Sequence, residues 1–296
     1  MYVKTPNQGN SEVVWVLQTT SLFRNTLTAK TRVDKLTANQ LDFLLLNRDF
    51  FMQHLTSPSK FRRILLKLSG EMLMEGQPFG INPEACKTLA QAIKTLKSAG
   101  FEIGLVMGGG NIFRGINLQA MGMQRTPADQ MGMLATILNG MALQQALEGL
   151  NCPSRVLTAL ECPRVAETYA WRNAMQYLAS GETLIFVGGT GNPYFTTDTA
   201  AAMRASEIQA DILLKATKVD GIYNKDPMKH PDARKYSTIS YSQMLAEKLE
   251  VMDATAVALC RSNHIPIMVF NMQLLKEGKA SDLSSLQAQG TLVNGE

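Results

Sequence analysis

The chain has 296 residues, of which 45% are hydrophobic and 18% are charged, and its formal net charge at pH 7 is +4. This composition is typical of a globular protein and excludes collagen-like and largely disordered chains. The small basic excess argues against a nucleic-acid partner, and no apolar run is long enough to predict a membrane-spanning helix. The four cysteines form no CxxC pair and there are three histidines, so we predict no metal site built from protein ligands.

The N-terminal segment, residues 1–59, has no clear period before residues 41–55, which fit one amphipathic helix. It ends in a linker-like Thr-Ser-Pro-Ser and lacks the apolar core of a signal peptide. We expect 1–59 to be a poorly ordered extension or a mis-assigned start, with Met52 as the alternative start. Residues 60–296 are expected to form the folded domain.

From residue 61 onward, short apolar runs alternate with helical patterns. The runs predict strands at 64–68, 102–107, 155–160, 183–189, 211–216 and 265–270. Helices are predicted over 82–100, from 126, over 163–179, from 198, over 242–249 and up to 262. Strands that alternate with helices of this length predict right-handed βαβ units on a parallel sheet.

The helix that begins near Thr126 carries an apolar stripe with a period of 3.6 residues. Its members are Leu134, Ile137, Leu138 and Met141. Such a stripe is typical of the face that an amphipathic helix turns toward a core.

Candidate ligand-binding groups follow the predicted strands, because ligands of open α/β sheets lie beyond the carboxyl ends of the strands. Lys67 to Gly70 closes the first strand and offers a charge and N–H donors to an anion, or is a solvated turn. The three glycines that end at Gly110 let a backbone approach phosphate oxygens, and Arg114 adds a planar donor, although a bare turn is the alternative. This stretch is neither a Walker A motif nor GxGxxG.

Two further loops complete the set. Residues 190–198 are rich in hydroxyls and lead into a helix, where Asp198 is a helix cap, a catalytic group or both. Residues 217–227 place Tyr223 where it can pack on a base, or form an ordinary turn. Four such loops with one lysine and one arginine predict two phosphate-bearing ligands that face each other, without a P-loop.

The segment 60–296 resembles bacterial uridylate kinases of the amino-acid kinase family. Two matching strings, RRILLKLSGE (62–71) and GGGNIFRG (108–115), are shared widely in that family. GTGNPYFTTDTAA (189–201) and LKATKVDGIY (214–223) are specific to the UMP-phosphorylating branch, and MGMLATILNGMAL (131–143) and IPIMVFNM (265–272) also match.

The resemblance implies a three-layer αβα sandwich around a mainly parallel sheet, the amino-acid kinase (carbamate kinase-like) fold. It implies phosphoryl transfer from ATP to UMP with Mg²⁺ in pyrimidine nucleotide biosynthesis, by a cytoplasmic homohexamer that UTP inhibits and GTP often activates. Residues 75–80 match the GTP-associated stretch only partly, so the GTP response stays open.

The resemblance also implies a role for individual residues. The catalytic residues are expected to be Lys67 and Asp198. ATP contacts are carried over to Lys67, Leu68, Ser69, Gly70, Gly110, Arg114, Thr217, Tyr223 and Asp226. UMP contacts are carried over to Gly109, Asp129, Thr190, Gly191, Asn192, Pro193, Tyr194, Phe195, Thr196 and Thr197.

The chemistry agrees with these assignments. The second pKa of a phosphate monoester is about 6, so the UMP oxygen is ionised near neutral pH and needs no general base. Lys67 and Mg²⁺ would offset the repulsion between two anions, and Asp198 would hold a lysine or Mg²⁺. The alternatives are a kinase of the same fold that acts on a carboxylate or carbamate, and a non-catalytic nucleotide-binding assembly.

Overall fold

The computed structural model describes residues 61–113, 122–249 and 251–295. The predictions for the segment 1–59, for the alternative start at Met52 and for Arg114 lie outside the described residues.

Within the described residues, eleven strands and eight α-helices alternate along the chain. The strands are β1 (Arg63–Leu68), β2 (Glu102–Met107), β3 (Ser154–Thr158), β4 (Glu167–Thr168), β5 (Thr183–Val187), β6 (Ile212–Thr217), β7 (Ile222–Tyr223), β8 (Lys235–Tyr236), β9 (Thr238–Ile239), β10 (Ile267–Asn271) and β11 (Thr291–Val293). The helices are α1 (Pro83–Ser98), α2 (Arg125–Glu148), α3 (Trp171–Ala179), α4 (Thr197–Glu207), α5 (Tyr241–Ala246), α6 (Ala254–Ser262), α7 (Met272–Lys276) and α8 (Leu283–Gln289). Short 3₁₀ helices cover Gly70–Leu73 and Lys279–Ser281.

Nine of these strands form one sheet in the order β4-β3-β5-β2-β1-β6-β10-β11-β9. Neighbouring strands are parallel except for the antiparallel pair of β10 and β11. β7 and β8 form a separate antiparallel pair. The predicted mainly parallel sheet is confirmed, and β1 lies at its centre.

Helices cover both faces of the sheet, as the alternation of side chains in β1 illustrates. Ile64 and Leu66 belong to a buried cluster that includes residues of α1 and α2. Leu65 points the other way, into a cluster with residues of α3, α4, α5 and α6. The fold is therefore the expected three-layer αβα sandwich, with a core on each side of the sheet.

The capping signals at α1 are confirmed. The Asn82 side chain accepts hydrogen bonds from the backbone N–H groups of Glu84 and Ala85, and Pro83 occupies the first turn. Gly100, just past the helix end, has φ +93°, a conformation that glycine adopts without the steric cost of a Cβ.

Two sequence-based expectations were wrong in detail. The helix predicted over 163–179 begins only at Trp171, because Glu167–Thr168 forms β4 at the sheet edge and pairs with β3. A carboxylate oxygen of Glu167 accepts hydrogen bonds from Asn173 and Tyr177, which ties this edge strand to α3. Pairing with the preceding strand β3 overrides the local helical pattern.

The apolar stripe of α2 also differs from the expected core-facing stripe. Leu134 and Leu138 are 53% and 51% exposed, and Met141 is 37% exposed. Only Ile137 of the four is buried; the other buried apolar side chains of α2 include Met133, Leu143 and Leu147. The helix is apolar on two faces, and the pattern by itself did not distinguish which one meets the sheet. No helix in the described part of the chain is long and apolar enough to cross a membrane.

We predict that Gly140→Ala destabilises the fold, because α2 packs directly on β5 at this glycine. A Cβ on Gly140 would lie 2.4 Å from Cγ1 of Val187. Overpacking of this kind costs about 1–3 kcal/mol, more than the ~1 kcal/mol that alanine gains over glycine within a helix. Chemical denaturation of the purified chain measures the difference.

The control is Gly132→Ala in the same helix, where a Cβ would meet nothing within 4 Å. Helix propensity then acts alone, and the free energy of unfolding should stay level or rise by up to about 1 kcal/mol. Equal stability of the two variants would contradict the packing argument.

Candidate active site

Two lysines from neighbouring strands lie side by side at the centre of the sheet. Lys67 of β1 and Lys215 of β6 are partners in the parallel register of the two strands. Strand alternation turns both side chains toward the face that α4 covers, together with Leu65 and Leu213. Both lysines come near the carboxyl ends of their strands, which is the edge where α/β sheets bind ligands.

Asp198 of α4 joins the two ammonium groups. Its Oδ1 lies 2.7 Å from Lys67 Nζ and its Oδ2 lies 2.5 Å from Lys215 Nζ. The three side chains are only 14%, 8% and 13% exposed for Lys67, Lys215 and Asp198 respectively. Lys67 is therefore part of a buried ion-pair cluster and not a solvated lysine on a turn.

The first turn of α4 is capped by Thr196 and not by Asp198. The Thr196 hydroxyl caps the helix by accepting hydrogen bonds from the backbone N–H groups of Asp198 and Thr199. Asp198 is not the cap, so its carboxylate is available to the lysines, and it gains further stabilisation from the positive end of the helix dipole.

The cluster perturbs the protonation of its members. Burial, reinforced by the positive charge of Lys67, lowers the pKa of Lys215 to about 8, although Asp198 and Asp253 oppose the decrease. Burial acts to raise the pKa of Asp198, but the ammonium groups of Lys67 and Lys215 outweigh it and hold that pKa below its ordinary value. Asp198 is therefore ionised at neutral pH, and Lys215 loses its proton just above it.

Sequence reasoning missed Lys215. A signal was present, because a lysine inside the apolar run DILLKA is unusual and lysines are almost never fully buried unless paired. Only the register of β1 and β6 identifies that pair.

The glycine loop after β2 packs closely on its surroundings. A Cβ on Gly70 would lie 2.4 Å from both the Asn111 side-chain oxygen and the Gly108 carbonyl, and one on Gly109 would lie 2.6 Å from the Gly132 carbonyl of α2. Gly110 has open space on the side where a Cβ would stand. This loop therefore presents its backbone beside β1, as an anion-binding loop requires.

Leu68 and Ser69, which lie between Lys67 and Gly70, differ in the surroundings of their side chains. Leu68 is fully buried, so only its backbone is available to a ligand. The Ser69 side chain caps the following 3₁₀ helix by accepting from Glu71 N. Their backbone meets the glycine loop, since Gly108 N donates to the Leu68 carbonyl at 3.0 Å.

The loop 190–197 is held against α2 by Asp129. The Asp129 carboxylate accepts from Tyr194 N at 2.8 Å and pairs with Arg125 Nε at 2.8 Å. Tyr194 has φ +71°, a strained conformation for a residue with a side chain, and is 65% exposed.

Within the rest of this loop, Thr190 Oγ1 donates a hydrogen bond to the Asn192 carbonyl. Asn192, Tyr194, Phe195 and Thr196 are exposed and Gly191, Pro193 and Thr197 partly exposed, so the predicted UMP loop is open to a ligand.

The other predicted nucleotide contacts follow β6. Thr217 ends this strand two residues beyond Lys215, and its hydroxyl donates to the Val219 carbonyl. The Tyr223 hydroxyl donates to Asp220, and this hydrogen bond raises the pKa of Tyr223 to about 12. Asp226 accepts from Met228 N. Thr217 is thus placed near the lysine cluster, Tyr223 ends β7, and Asp226 lies in the loop that follows.

A cavity of about 440 Å³ adjoins the cluster. Asp198, Thr196, Lys248 and Asp253 contribute its polar lining. Its apolar lining comes from Met244, Leu245, Leu249, Met252, Ala254 and Val257. The cavity is therefore mainly apolar, and its charged lining consists of two carboxylates and one lysine.

Together these features can bind and align anions. Within the triad two ammonium groups face one carboxylate, so one positive charge remains for a ligand. Backbone loops stand on either side of it, and the arrangement resembles that of phosphoryl-transfer sites, where positioning and charge stabilisation do most of the catalysis.

The chain was also compared with known proteins. Residues 62–271 match the amino acid kinase family. The uridylate kinase of Protochlamydia amoebophila is 62% identical over 233 residues, which cover 79% of this chain and 93% of that protein. The uridylate kinase of Stutzerimonas stutzeri is 50% identical over 234 residues, which cover 79% and 94%.

Two solved structures that the chain resembles are UMP kinases as well. The crystal structure of UMP kinase from Ureaplasma parvum superposes with a TM-score of 0.75 at 38% identity, covering 79% of this chain and 99% of that one. UMP kinase from Bacillus anthracis has a TM-score of 0.74 at 33% identity, covering 79% and 96%. The match extends over the two lysine strands, α4 and both candidate loops, and the chain belongs to the amino acid kinase family and, within it, to the uridylate kinases.

Proposed function

We propose that this chain transfers the γ-phosphoryl group of ATP to UMP and releases UDP and ADP. The observation that carries the proposal is the buried Lys67–Asp198–Lys215 cluster, which lies at the ligand-binding edge of the sheet. The sequence kinship with uridylate kinases supports UMP as the acceptor.

The mechanism needs charge stabilisation more than proton transfer. The UMP phosphate oxygen attacks in its ionised form, so no side chain has to remove a proton. Lys67 and Lys215 stabilise the charge that spreads over the transferring phosphoryl group, and Asp198 holds both ammonium groups in place. The backbone of the Gly108–Gly110 loop binds phosphate oxygens and keeps the reacting groups in line.

Mg²⁺ is proposed to arrive with ATP. Both oxygens of Asp198 are occupied by ammonium groups, and no cluster of three or more His, Cys, Asp or Glu occurs among the described residues. This donor set fits an ion held by the phosphate oxygens of the nucleotide. When bound, Mg²⁺ supplies Lewis-acid neutralisation of the phosphate charge.

The ATP nucleoside is proposed to bind beside the segment after β6, where the resemblance to uridylate kinases assigns contacts to Thr217, Tyr223 and Asp226. The 190–197 loop, which Asp129 holds against α2, is proposed for UMP. Each substrate then has a subsite of its own, and the lysine cluster lies where the two phosphate chains meet.

Assembly and regulation are proposed along the lines of the family. The exposed apolar stripe of Leu134, Leu138 and Met141 supports association with further copies of the chain, in a homohexamer. UTP inhibition, GTP activation, a cytoplasmic location and a role in pyrimidine nucleotide biosynthesis are proposed on the resemblance to uridylate kinases.

A coupled ADP-release assay across UMP, CMP and dUMP tests the proposed function. We expect UMP to exceed CMP and dUMP by about 10- to 100-fold in kcat/KM, because a buried polar group left unpaired by the wrong nucleotide costs about 1–3 kcal/mol. Equal rates on UMP and CMP would overturn the assignment. Acyl phosphate formation from a carboxylate or carbamate would favour the alternative kinase, and nucleotide binding without turnover would favour a non-catalytic assembly.

Lys67→Ala and Asp129→Asn should separate catalysis from UMP binding. We predict that Lys67→Ala lowers kcat by about 100-fold or more with little change in the KM for UMP, because its charge matters most in the transition state. Asp129→Asn should raise the KM for UMP by about 10-fold with a smaller effect on kcat, because it weakens a charged hydrogen bond to the UMP loop. Steady-state kinetics with both substrates varied measures the split, and identical patterns would refute this division of roles.

The Lys215 pKa of about 8 predicts a pH dependence. Because the protonated ammonium is the active form, kcat/KM for ATP should fall as the pH rises through about 8 and Lys215 loses its charge. Lys215→Arg keeps a charge that does not titrate in this range, so whatever activity it retains should show no decline near pH 8. A wild-type profile that is flat to pH 9.5, or the same decline in Lys215→Arg, would assign the titration elsewhere.

A further inference from the structure

A pair of asparagines is buried beneath the glycine loop. Asn111 follows the loop and Asn139 lies in the middle of α2, and the two are 1% and 0% exposed. Their side-chain amides bond to each other in both directions. Asn111 Nδ2 donates to Asn139 Oδ1 at 2.9 Å, and Asn139 Nδ2 donates to Asn111 Oδ1 at 2.7 Å.

The second N–H of each amide holds the backbone. Asn139 Nδ2 donates to the Gly108 carbonyl at 2.8 Å, and Asn111 Nδ2 donates to the Gly80 carbonyl at 2.9 Å. All four amide N–H groups are thus used, and the carbonyl of the first loop glycine is bonded directly to the core of α2. The hydrogen bond from the Asn139 amide constrains both the orientation of this carbonyl and its distance from α2, because hydrogen bonds are directional and apolar contacts are not.

The same helix face holds the second substrate loop. Thr136, three residues before Asn139, accepts a hydrogen bond from Gly188 N at 2.7 Å and donates to the Met133 carbonyl. Gly188 leads into the 190–197 loop, whose far part is held by Asp129 of α2. One helix therefore sets the positions of both loops that flank the lysine cluster.

We propose that Asn139 is a positioning residue for phosphoryl transfer, which through Gly108 and Asn111 fixes the phosphate-binding loop relative to the lysine cluster. The proposal rests on the proposed function. Asn139 itself touches no substrate, and its effect is carried by the loop backbone.

The test compares three variants with the wild-type chain. Asn139→Leu removes one partner and leaves the Asn111 side-chain oxygen and one of its N–H groups, together with the Gly108 carbonyl, without their hydrogen bonds. Asn111→Leu/Asn139→Leu removes both amides, so the Gly80 and Gly108 carbonyls lose their amide donors but no side-chain amide is left unpaired, which restores part of the stability lost by removing one partner. Leu143→Ala is the matched control, because Leu143 is a fully buried α2 residue of the same core and its truncation destabilises the fold without touching the loop.

For each variant we would measure Tm, and kcat at saturating ATP and UMP well below the lowest Tm. Positioning predicts that kcat of Asn139→Leu falls by about 10- to 100-fold, as misplacement of reacting groups by about 1 Å does. The double variant should recover part of the lost Tm but none of the lost kcat, and Leu143→Ala should lose Tm but keep kcat. If kcat follows Tm across all variants, Asn139 is merely structural and the proposal fails.

Hydrogen exchange of peptides spanning residues 106–113 gives a readout that does not depend on turnover. Faster exchange in this segment is expected in Asn139→Leu and the double variant but not in Leu143→Ala, and equal exchange in all three would overturn the proposal. If the wild-type chain does not phosphorylate UMP, the proposed function fails. The exchange result still decides whether Asn139 positions the loop, because it does not depend on turnover. If Asn139→Leu does not fold, Asn139→Ser takes its place.

Discussion

The buried charge cluster of Lys67, Asp198 and Lys215 is the constraint on which the site depends. Removing three charged groups from water is costly, and the cost is offset only when their geometry and hydrogen bonds are well matched. Two adjacent parallel strands supply the lysines in register, and the N-terminal turn of α4 supplies the carboxylate. The sheet register and the start of α4 must therefore be held firmly, because a shift of either would leave a buried charge unpaired.

Helix α2 lies on the opposite face of the sheet and fixes the loops beside this cluster. Its buried side packs against β5 at Gly140 and holds the two substrate loops through Asn139, Thr136 and Asp129. Its outer side exposes apolar residues at 134, 138 and 141. A single rigid element thus connects a surface suited to association with the loops that flank the reacting groups. A rigid connection of this kind is what preorganised catalysis requires, since alignment is fixed before the substrates arrive.

The cluster and the loops divide the work of a phosphoryl-transfer site. In the proposed mechanism the loops offer backbone N–H groups to the phosphates without a titrating charge, and the lysines offer charge at the point where it develops. Asp198 performs no proton transfer in this arrangement. Its contribution is to keep two like charges close together, although burial and the charge of Lys67 still lower the pKa of Lys215 to about 8.

Much of the fold and part of the site could be predicted from the sequence. Apolar runs identified the parallel strands, and Asn82-Pro83 with Gly100 bounded α1, because these signals are local. The glycine loop, the hydroxyl-rich loop, Lys67 and Asp198 were found because they follow strands in an α/β pattern. The motif strings identified the family, since they are longer and more specific than any periodicity.

What the tertiary structure alone decided is the pairing between distant segments. Lys215 became a member of the site only through the register of β6 with β1, and β4 formed only because β3 lies beside it. The face of α2 that meets the sheet was decided by Gly140 and the two asparagines, not by the strongest apolar stripe. Local sequence specifies helices, turns and candidate loops, whereas buried charges and amides acquire their roles only from partners brought together by folding.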